Sequence, residues 1–179
     1  MQIKRVLMLA LITCAAAMAA KASKPTDPYA NVPADKREGL RTRLSEYVNQ
    51  YRDRNWGKLY ELVSDTGRGD VTRQAFTSRM EAAHGLSFAN YPDLLAFVPA
   101  RGDKTGDGGF DFYGCGEAQR EGEKYKGVAV VHAIFEHENW FFVGWSFDGM
   151  ANGSCSALNK PDWQPSNRLI WNHIMEELR

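Results

Sequence analysis

The stretch from residue 124 to residue 147, KYKGVAVVHAIFEHENWFFVGWSF, decides the fold. It is rich in β-branched and aromatic residues, which favour strands, and one short polar group interrupts it. We predict two antiparallel strands, 124–136 and 140–147, joined by a tight turn. An earlier stretch, 110–117, has the same character, and so does the short apolar run 94–98. The second half of the chain therefore predicts a sheet of neighbouring antiparallel strands.

The turn between the last two predicted strands sets which side chains face the core. A two-residue turn at Glu138-Asn139 predicts three pairs, which are Ile134 with Val143, His132 with Trp145 and Val130 with Phe147. A register shifted by one residue replaces these apolar partners with Gly144 and Ser146, so burial favours the first register. We therefore expect His132 on the face toward the core.

The hairpin before it allows two registers. A three-residue loop at 120–122 turns Phe110 and Phe112 inward and leaves Asp111 in solvent. A two-residue loop at 121–122 instead brings the opposite face inward and sets Asp111 opposite His132; the inward residues are then Asp111, Tyr113 and Cys115. Burial of apolar surface favours the first register.

The first half of the chain predicts helices. From Arg37 onward, apolar residues recur every three or four positions and form one stripe, which consists of Leu40, Leu44, Tyr47, Val48 and Tyr51. Asn55 is a candidate N-cap for a short second helix, and Thr72 for a third helix that ends near Gly85. Helices followed by antiparallel strands predict an α+β fold, with N-terminal helices packed on a curved antiparallel sheet.

The two ends of the chain predict a signal peptide and a linker before the domain and an extra helix after it. Residues 1–22 have the charged start, apolar run and small residues of a cleaved signal peptide, and the run 6–20 is too short to cross a membrane. Residues 23–36 contain three prolines and predict a linker before a domain at 37–160. The tail 161–179 predicts an extra helix, whose apolar stripe is Ile170, Trp171, Ile174 and Leu178. We expect a periplasmic or extracellular location, without lipidation at Cys14.

The cysteines and the net charge narrow the class of protein further. Removal of the signal peptide leaves Cys115 and Cys155, an even pair that predicts one disulfide in an exported protein. The chain has 22 basic and 22 acidic residues, so it lacks the basic excess of a nucleic-acid-binding protein. Oxygen-bearing residues at 103–108 resemble half of a calcium loop, but Gly114 stands where a bidentate Glu is required, which predicts a polar turn. We predict neither a metal nor a cofactor.

The segments LSEYV (44–48) and NWGKLYEL (55–62), the helix with Phe76 and the tryptophan-bearing last strands resemble the NTF2-like superfamily, which has a cone-shaped α+β fold. The resemblance covers 37–148, although 64–71 is too short for the strands that many members insert there. It implies an apolar cavity at the mouth of the cone. The residues expected to line that cavity are Tyr47, Tyr51, Tyr113, His132 and Trp145.

Three functions are compatible with this pattern. The first, which we favour, is a non-catalytic binding module for a small apolar molecule or a protein partner. The second is an isomerase or cyclase with Asp111 or His132 as base; its tyrosine donor would be Tyr47, Tyr51 or Tyr113. The third is a homodimer formed through an apolar patch on the outer face of the sheet, which would consist of Phe135, Trp140 and Phe142.

Overall fold

The computed structural model describes residues 27–85, 93–120, 122–148, 155–160, 163–164 and 170–171. The predicted signal peptide and Cys14 lie outside the described residues. Within them, helices come first and the sheet second, which confirms an α+β fold. Among the described residues, no helix has both the length and the apolarity that a membrane crossing needs.

Among the described residues, a short 3-10 helix (Ala34–Lys36) and four α-helices precede the sheet. The α-helices are α1 (Arg37–Arg52), α2 (Trp56–Leu62), α3 (Asp65–Arg68) and α4 (Arg73–Gly85). The predicted stripe of α1 is buried along its whole length. Both predicted N-caps are confirmed, because Asn55 Oδ1 accepts a hydrogen bond from the amide of Lys58 and Thr72 Oγ1 from that of Ala75. Between α2 and α4, the single turn α3 is capped by Ser64, whose Oγ accepts a hydrogen bond from the amide of Gly67.

The sheet consists of β1 (Asp93–Lys104), β2 (Phe110–Arg120), β3 (Glu123–Glu136), β4 (Asn139–Asp148) and the two-residue β5 (Ile170–Trp171). The strands follow one another in chain order, and every neighbouring pair is antiparallel. The strands predicted from composition are therefore confirmed, and β1 is longer than expected. The order leaves β1 at one edge of the sheet.

The predicted register between β3 and β4 is wrong. The turn forms one residue earlier, at His137-Glu138, where both residues have positive φ, as mirror-image hairpin turns require. A register shift next to His132 follows, so that His132 lies opposite Gly144 and Trp145 lies opposite Val131. Because Trp145 lies in the core opposite Val131, this one-residue shift places His132 on the face of the sheet away from the helices.

Between β2 and β3 the structure has the register that we disfavoured. Arg120 pairs with Glu123 across a two-residue loop, and Asp111 lies opposite His132. Nevertheless Phe110 and Phe112 are buried in the core, as the other register predicted. The observed register is compatible with burial of Phe110 and Phe112 because the helices cover the apolar face of β3. His132 and Asp111 lie together on the opposite face. We call this the helix face of the sheet and the opposite side the outer face.

The space between the helices and the sheet is filled with side chains. The largest fully buried side chains in this core include Tyr47, Phe112, Trp140, Phe142 and Trp145. The patch predicted for dimerisation is therefore misplaced: Phe142 is 0% exposed and Trp140 2%, beneath the helices. Phe135 packs against the same core, with Lys36 Nζ 3.5 Å from its ring centroid. Aromatic residues that looked suited to a surface instead supply the core.

The described part of the predicted linker, 27–36, packs on the domain. Tyr29 and Val32 are buried, and the Tyr29 ring lies 5.3 Å from the ring of Phe112. Asn31 Nδ2 donates a hydrogen bond to the Gly102 carbonyl at 2.8 Å. Two buried apolar side chains thus hold this segment against the domain, although most of its other residues are exposed.

The C-terminal part of the chain covers the outer face. Cys155, at the start of a short 3-10 helix (Cys155–Asn159), forms the predicted disulfide with Cys115 on β2. The prediction of a tail helix is wrong at Ile170 and Trp171, which form β5 beside β4. The backbone of these two residues pairs with β4, and the remainder of the predicted helix lies outside the described residues.

Candidate functional site

Four polar side chains meet on the outer face of the sheet. His132 Nδ1 lies 2.6 Å from Asp111 Oδ1, and His132 Nε2 lies 3.1 Å from Asp107 Oδ2. The Tyr113 hydroxyl donates to Asp111 Oδ2 at 3.3 Å. We call Asp107, Asp111, Tyr113 and His132 the histidine network.

The turn between β1 and β2 supplies Asp107. Its Oδ1 accepts hydrogen bonds from the hydroxyl of Thr105 and from the amide of Gly109, which leaves Oδ2 directed at His132. Residue 109 is glycine, and a Cβ at this position would lie only 2.8 Å from the Ala133 carbonyl oxygen and 2.9 Å from His132 Nε2. Any larger residue would therefore collide with both atoms. The sequence correctly predicted a polar turn here, but it gave no signal that the turn reaches a histidine on β3.

The electrostatics of the histidine network favour a charged imidazole. Burial opposes the charge on His132, but the hydrogen bonds and charges of Asp111 and Asp107 outweigh burial and raise the pKa of the imidazole above 6.5. Hydrogen bonds from Thr105 and Gly109, and the nearby His132, lower the pKa of Asp107. Burial, reinforced by Asp111, raises the pKa of Tyr113 to about 12.

This geometry is suited to holding strands together. Each imidazole nitrogen of His132 faces a carboxylate, so neither nitrogen has a lone pair directed at a substrate. The His132 side chain is 11% exposed, and the ring of Tyr113 lies 5.4 Å from that of Trp163 in the C-terminal segment. The histidine network thus ties the β1–β2 turn to β2 and β3 beneath a covering segment.

The five residues predicted to line one cavity lie on both sides of the sheet. Tyr47, Tyr51 and Trp145 belong to the core on the helix face, where burial raises the pKa of both phenols. Tyr113 and His132 lie on the outer face. The sheet separates the two groups, so these residues do not share a pocket.

An open groove of about 290 Å³ lies between α1 and β1. We call it the α1–β1 groove. Its apolar lining is Tyr29, Leu44, Val48, Leu95, Ala96, Phe97 and Pro99, and its polar lining is Arg41, Ser45, Asn49 and Arg52. None of the five predicted pocket residues lines it. The sequence predicted both elements, but the gap between them depends on how α1 crosses the edge of the sheet, which no local pattern encodes.

One exposed cluster offers ligand atoms for a metal. Single donor atoms of Asp65, Glu136 and His137 lie within 4.8 Å of one another. Asp65 already pairs with Arg68, and its Oδ2 lies 2.8 Å from His137 Nε2. A cation would have to displace both pairs.

Comparison with known proteins adds no assignment, because the chain matches no family model and no curated protein. The functional conclusions therefore depend on the geometry of this chain.

The charge state of His132 predicts a pH dependence. A pKa raised on folding contributes stability that is complete below pH 6.5 and is lost as the pH rises through the folded pKa. The lowered pKa of Asp107 contributes stability above its unfolded value of 3.8, which is lost as the pH falls through its folded value. The network is thus expected to be most stabilising between these two limits.

The measurement is urea unfolding of the wild type and of His132→Gln at about pH 5.5 and about pH 9. At the lower pH the wild type is expected to be more stable by about 1.5–3 kcal/mol, the range of hydrogen bonds to charged groups, and the difference is expected to shrink at the higher pH. His137→Gln is the matched control, because its ring also pairs with a carboxylate, that of Asp65, but its side chain is 71% exposed. An exposed pair contributes little, so only a small loss of stability is expected at either pH. A difference that grows with pH would contradict the assignment.

Proposed function

We propose that this chain is an exported, non-catalytic binding module of the NTF2-like type whose ligand occupies the α1–β1 groove. The observation that carries the proposal is the groove itself, which combines apolar walls with two arginines at the boundary between helix and sheet. Helices packed on a curved antiparallel sheet support the NTF2-like assignment. The site differs from the expected cone cavity, because core side chains fill that space.

The lining of the groove indicates the chemistry of the ligand. Leu44, Val48 and Phe97 provide apolar contact. The side chains of Arg41 and Arg52 are 46% and 49% exposed. Among the described residues that line the groove, none carries a carboxylate. An amphipathic ligand with an apolar part and an anionic group satisfies both sets of residues.

The state of the candidate bases supports a non-catalytic role. Asp111 and His132 are hydrogen-bonded to each other, and His132 also contacts Asp107. A general base needs a free lone pair within reach of the proton it removes. The α1–β1 groove is on the other side of the sheet from the histidine network, so its ligand would not reach these groups.

Export is proposed on two grounds. The first 22 residues have the composition of a signal peptide. The Cys115–Cys155 disulfide is of the kind that persists in oxidising compartments.

Dodecanoate, an apolar chain with one carboxylate, tests the proposal. We expect it to bind the oxidised wild-type protein in isothermal titration calorimetry, and to shift backbone amide resonances of α1 and β1 in NMR spectra. Phe97→Ser and Arg52→Glu are each expected to weaken binding at least fivefold, because they remove an apolar wall and reverse a charge.

The matched controls lie outside the groove. Phe141→Ser replaces a half-buried phenylalanine on β4, and Lys58→Glu reverses a charge at the third position of α2, where an acidic residue suits the helix start. Both are expected to bind like the wild type. Equal binding by all variants, or resonance shifts confined to the outer face, would refute the groove as the site.

A further inference from the structure

β1 has a free edge beside the α1–β1 groove. It pairs with β2 on one side and is the terminal strand of the sheet within the described residues. At its far end, residues 28–31 cover Gly102, since Asn31 bonds its carbonyl and Pro28 O approaches it closely. The part that borders the groove is Leu95–Pro99.

The backbone of this part is directed to accept a partner. Pro99 has no N–H, and prolines lie in sheets where the nitrogen faces away from the paired strand. Because alternate residues of a strand direct their backbone groups to the same edge, Phe97 directs its N–H and C=O outward as well. The Val98 carbonyl points the other way, since a Cβ on Gly114 of β2 would lie 2.3 Å from it.

Side chains on both faces of this edge are available. Phe97 lines the groove on the helix face, whereas Val98 on the outer face is 67% exposed and is the one large apolar side chain that stands exposed in the described part of the chain. At the border of the groove, Arg52 pairs with Asp53, and Arg41 pairs with Asp27 and Glu38. Exposed ion pairs of this kind contribute little to stability, so a carboxylate of a ligand can compete for the arginines.

We propose that the ligand of the α1–β1 groove is an extended peptide, which pairs with Leu95–Pro99 as an added strand and sets acidic side chains against Arg52 and Arg41. This inference rests on the proposed function and specifies its ligand. Backbone pairing supplies affinity, and the two faces of the edge select alternate side chains: acidic residues of the peptide face Arg52 and Arg41 on the helix face, and apolar residues lie beside Val98 on the outer face. Five residues of strand correspond to about 16 Å, the length of a short peptide.

The edge favours a peptide over a second copy of this chain. Register shifts between Leu94 and Ala96 and between Pro99 and Arg101 bound the regular part, and Pro99 removes one donor. Such features limit the pairing of whole sheets edge to edge. They leave room for a few hydrogen bonds, which suits a short segment.

The probe is an acetylated, amidated hexapeptide that alternates valine with glutamate. In NMR titration against the full oxidised protein, we expect it to bind and to slow amide exchange at Phe97 at least tenfold. Two further peptides test the terms of the proposal, namely a version N-methylated at alternate residues and a version with lysine in place of glutamate. Each is expected to bind at least tenfold more weakly. Arg52→Glu is expected to weaken the binding of the glutamate peptide at least fivefold, and Lys58→Glu is expected to leave that binding unchanged.

Each contrary outcome has a distinct meaning. Equal binding of the N-methylated peptide would overturn strand addition, and equal binding of the lysine peptide would overturn the role of the arginines. Binding of dodecanoate without binding of the glutamate peptide would overturn this inference and leave the proposed function standing. If neither dodecanoate nor the glutamate peptide binds, both this inference and the proposed function are overturned.

Discussion

Phe142→Ala is expected to lower the free energy of unfolding by about 3–5 kcal/mol, the cost of removing a fully buried phenylalanine. The Phe142 side chain is 0% exposed, and its ring centroid lies 4.4 Å from that of Tyr47 on α1. Truncation leaves a cavity between α1 and β4 that the packed aromatic neighbours cannot fill. Urea unfolding monitored by tryptophan fluorescence measures the loss.

The adjacent residue provides the control. Phe141 lies on the opposite face of β4 and is half-buried, so Phe141→Ala is expected to cost clearly less. A loss below about 1 kcal/mol at Phe142, the range typical of surface positions, would place its ring on the surface. That result would restore the apolar patch that the sequence suggested for dimerisation.

Reduction of the Cys115–Cys155 disulfide is expected to lower the free energy of unfolding by about 4 kcal/mol. The bridge closes a loop with a sequence separation of 40, and the chain-entropy relation gives this value for a loop of that length. The bridge also holds the C-terminal segment, including Trp163, against the outer face. Its loss is expected to make that segment more susceptible to protease.

The measurement compares urea unfolding with and without a phosphine reductant. A double variant, Cys115→Ala with Cys155→Ala, should be destabilised to a similar degree and should not respond to the reductant. An unchanged midpoint for the wild type on reduction would contradict a structural role for the bridge.

Elements were predictable from sequence where a local pattern specifies them. The stripe of α1 and the caps Asn55 and Thr72 were found because period and capping chemistry are local. The disulfide was predictable because only two cysteines lie outside the predicted signal peptide. The helical stripe, together with the β-branched and aromatic runs of the second half, was enough to predict the α+β class.

The register error between β3 and β4 has one physical origin. Moving a two-residue turn by one residue shifts the pairing by two and keeps the same faces together, whereas the one-residue shift beside His132 exchanges the faces beyond it. The shift beside His132 then allows Trp140, Phe142 and Trp145 all to reach the core. This gain comes from packing against helices that are distant in sequence.

The histidine network and the groove could not be predicted from the sequence, because both depend on tertiary contacts. Asp111 and His132 were named as candidates, but their partnership lay in the register we disfavoured, and Asp107 was assigned only to a turn. The groove depends on the position of α1 over β1, which is a tertiary relation. Sequence therefore identified chemically relevant residues without showing which face each occupies.

On the outer face, His132 acts as a structural cation that is hydrogen-bonded at both ring nitrogens, and not as a base in a cavity. NMR spectra of the imidazole nitrogens in ¹⁵N-labelled protein test it most directly. We predict a proton on both nitrogens of His132 at pH 6.5 and a titration midpoint above that value. A neutral ring with one unprotonated nitrogen at that pH, titrating below 6.5, would contradict the account.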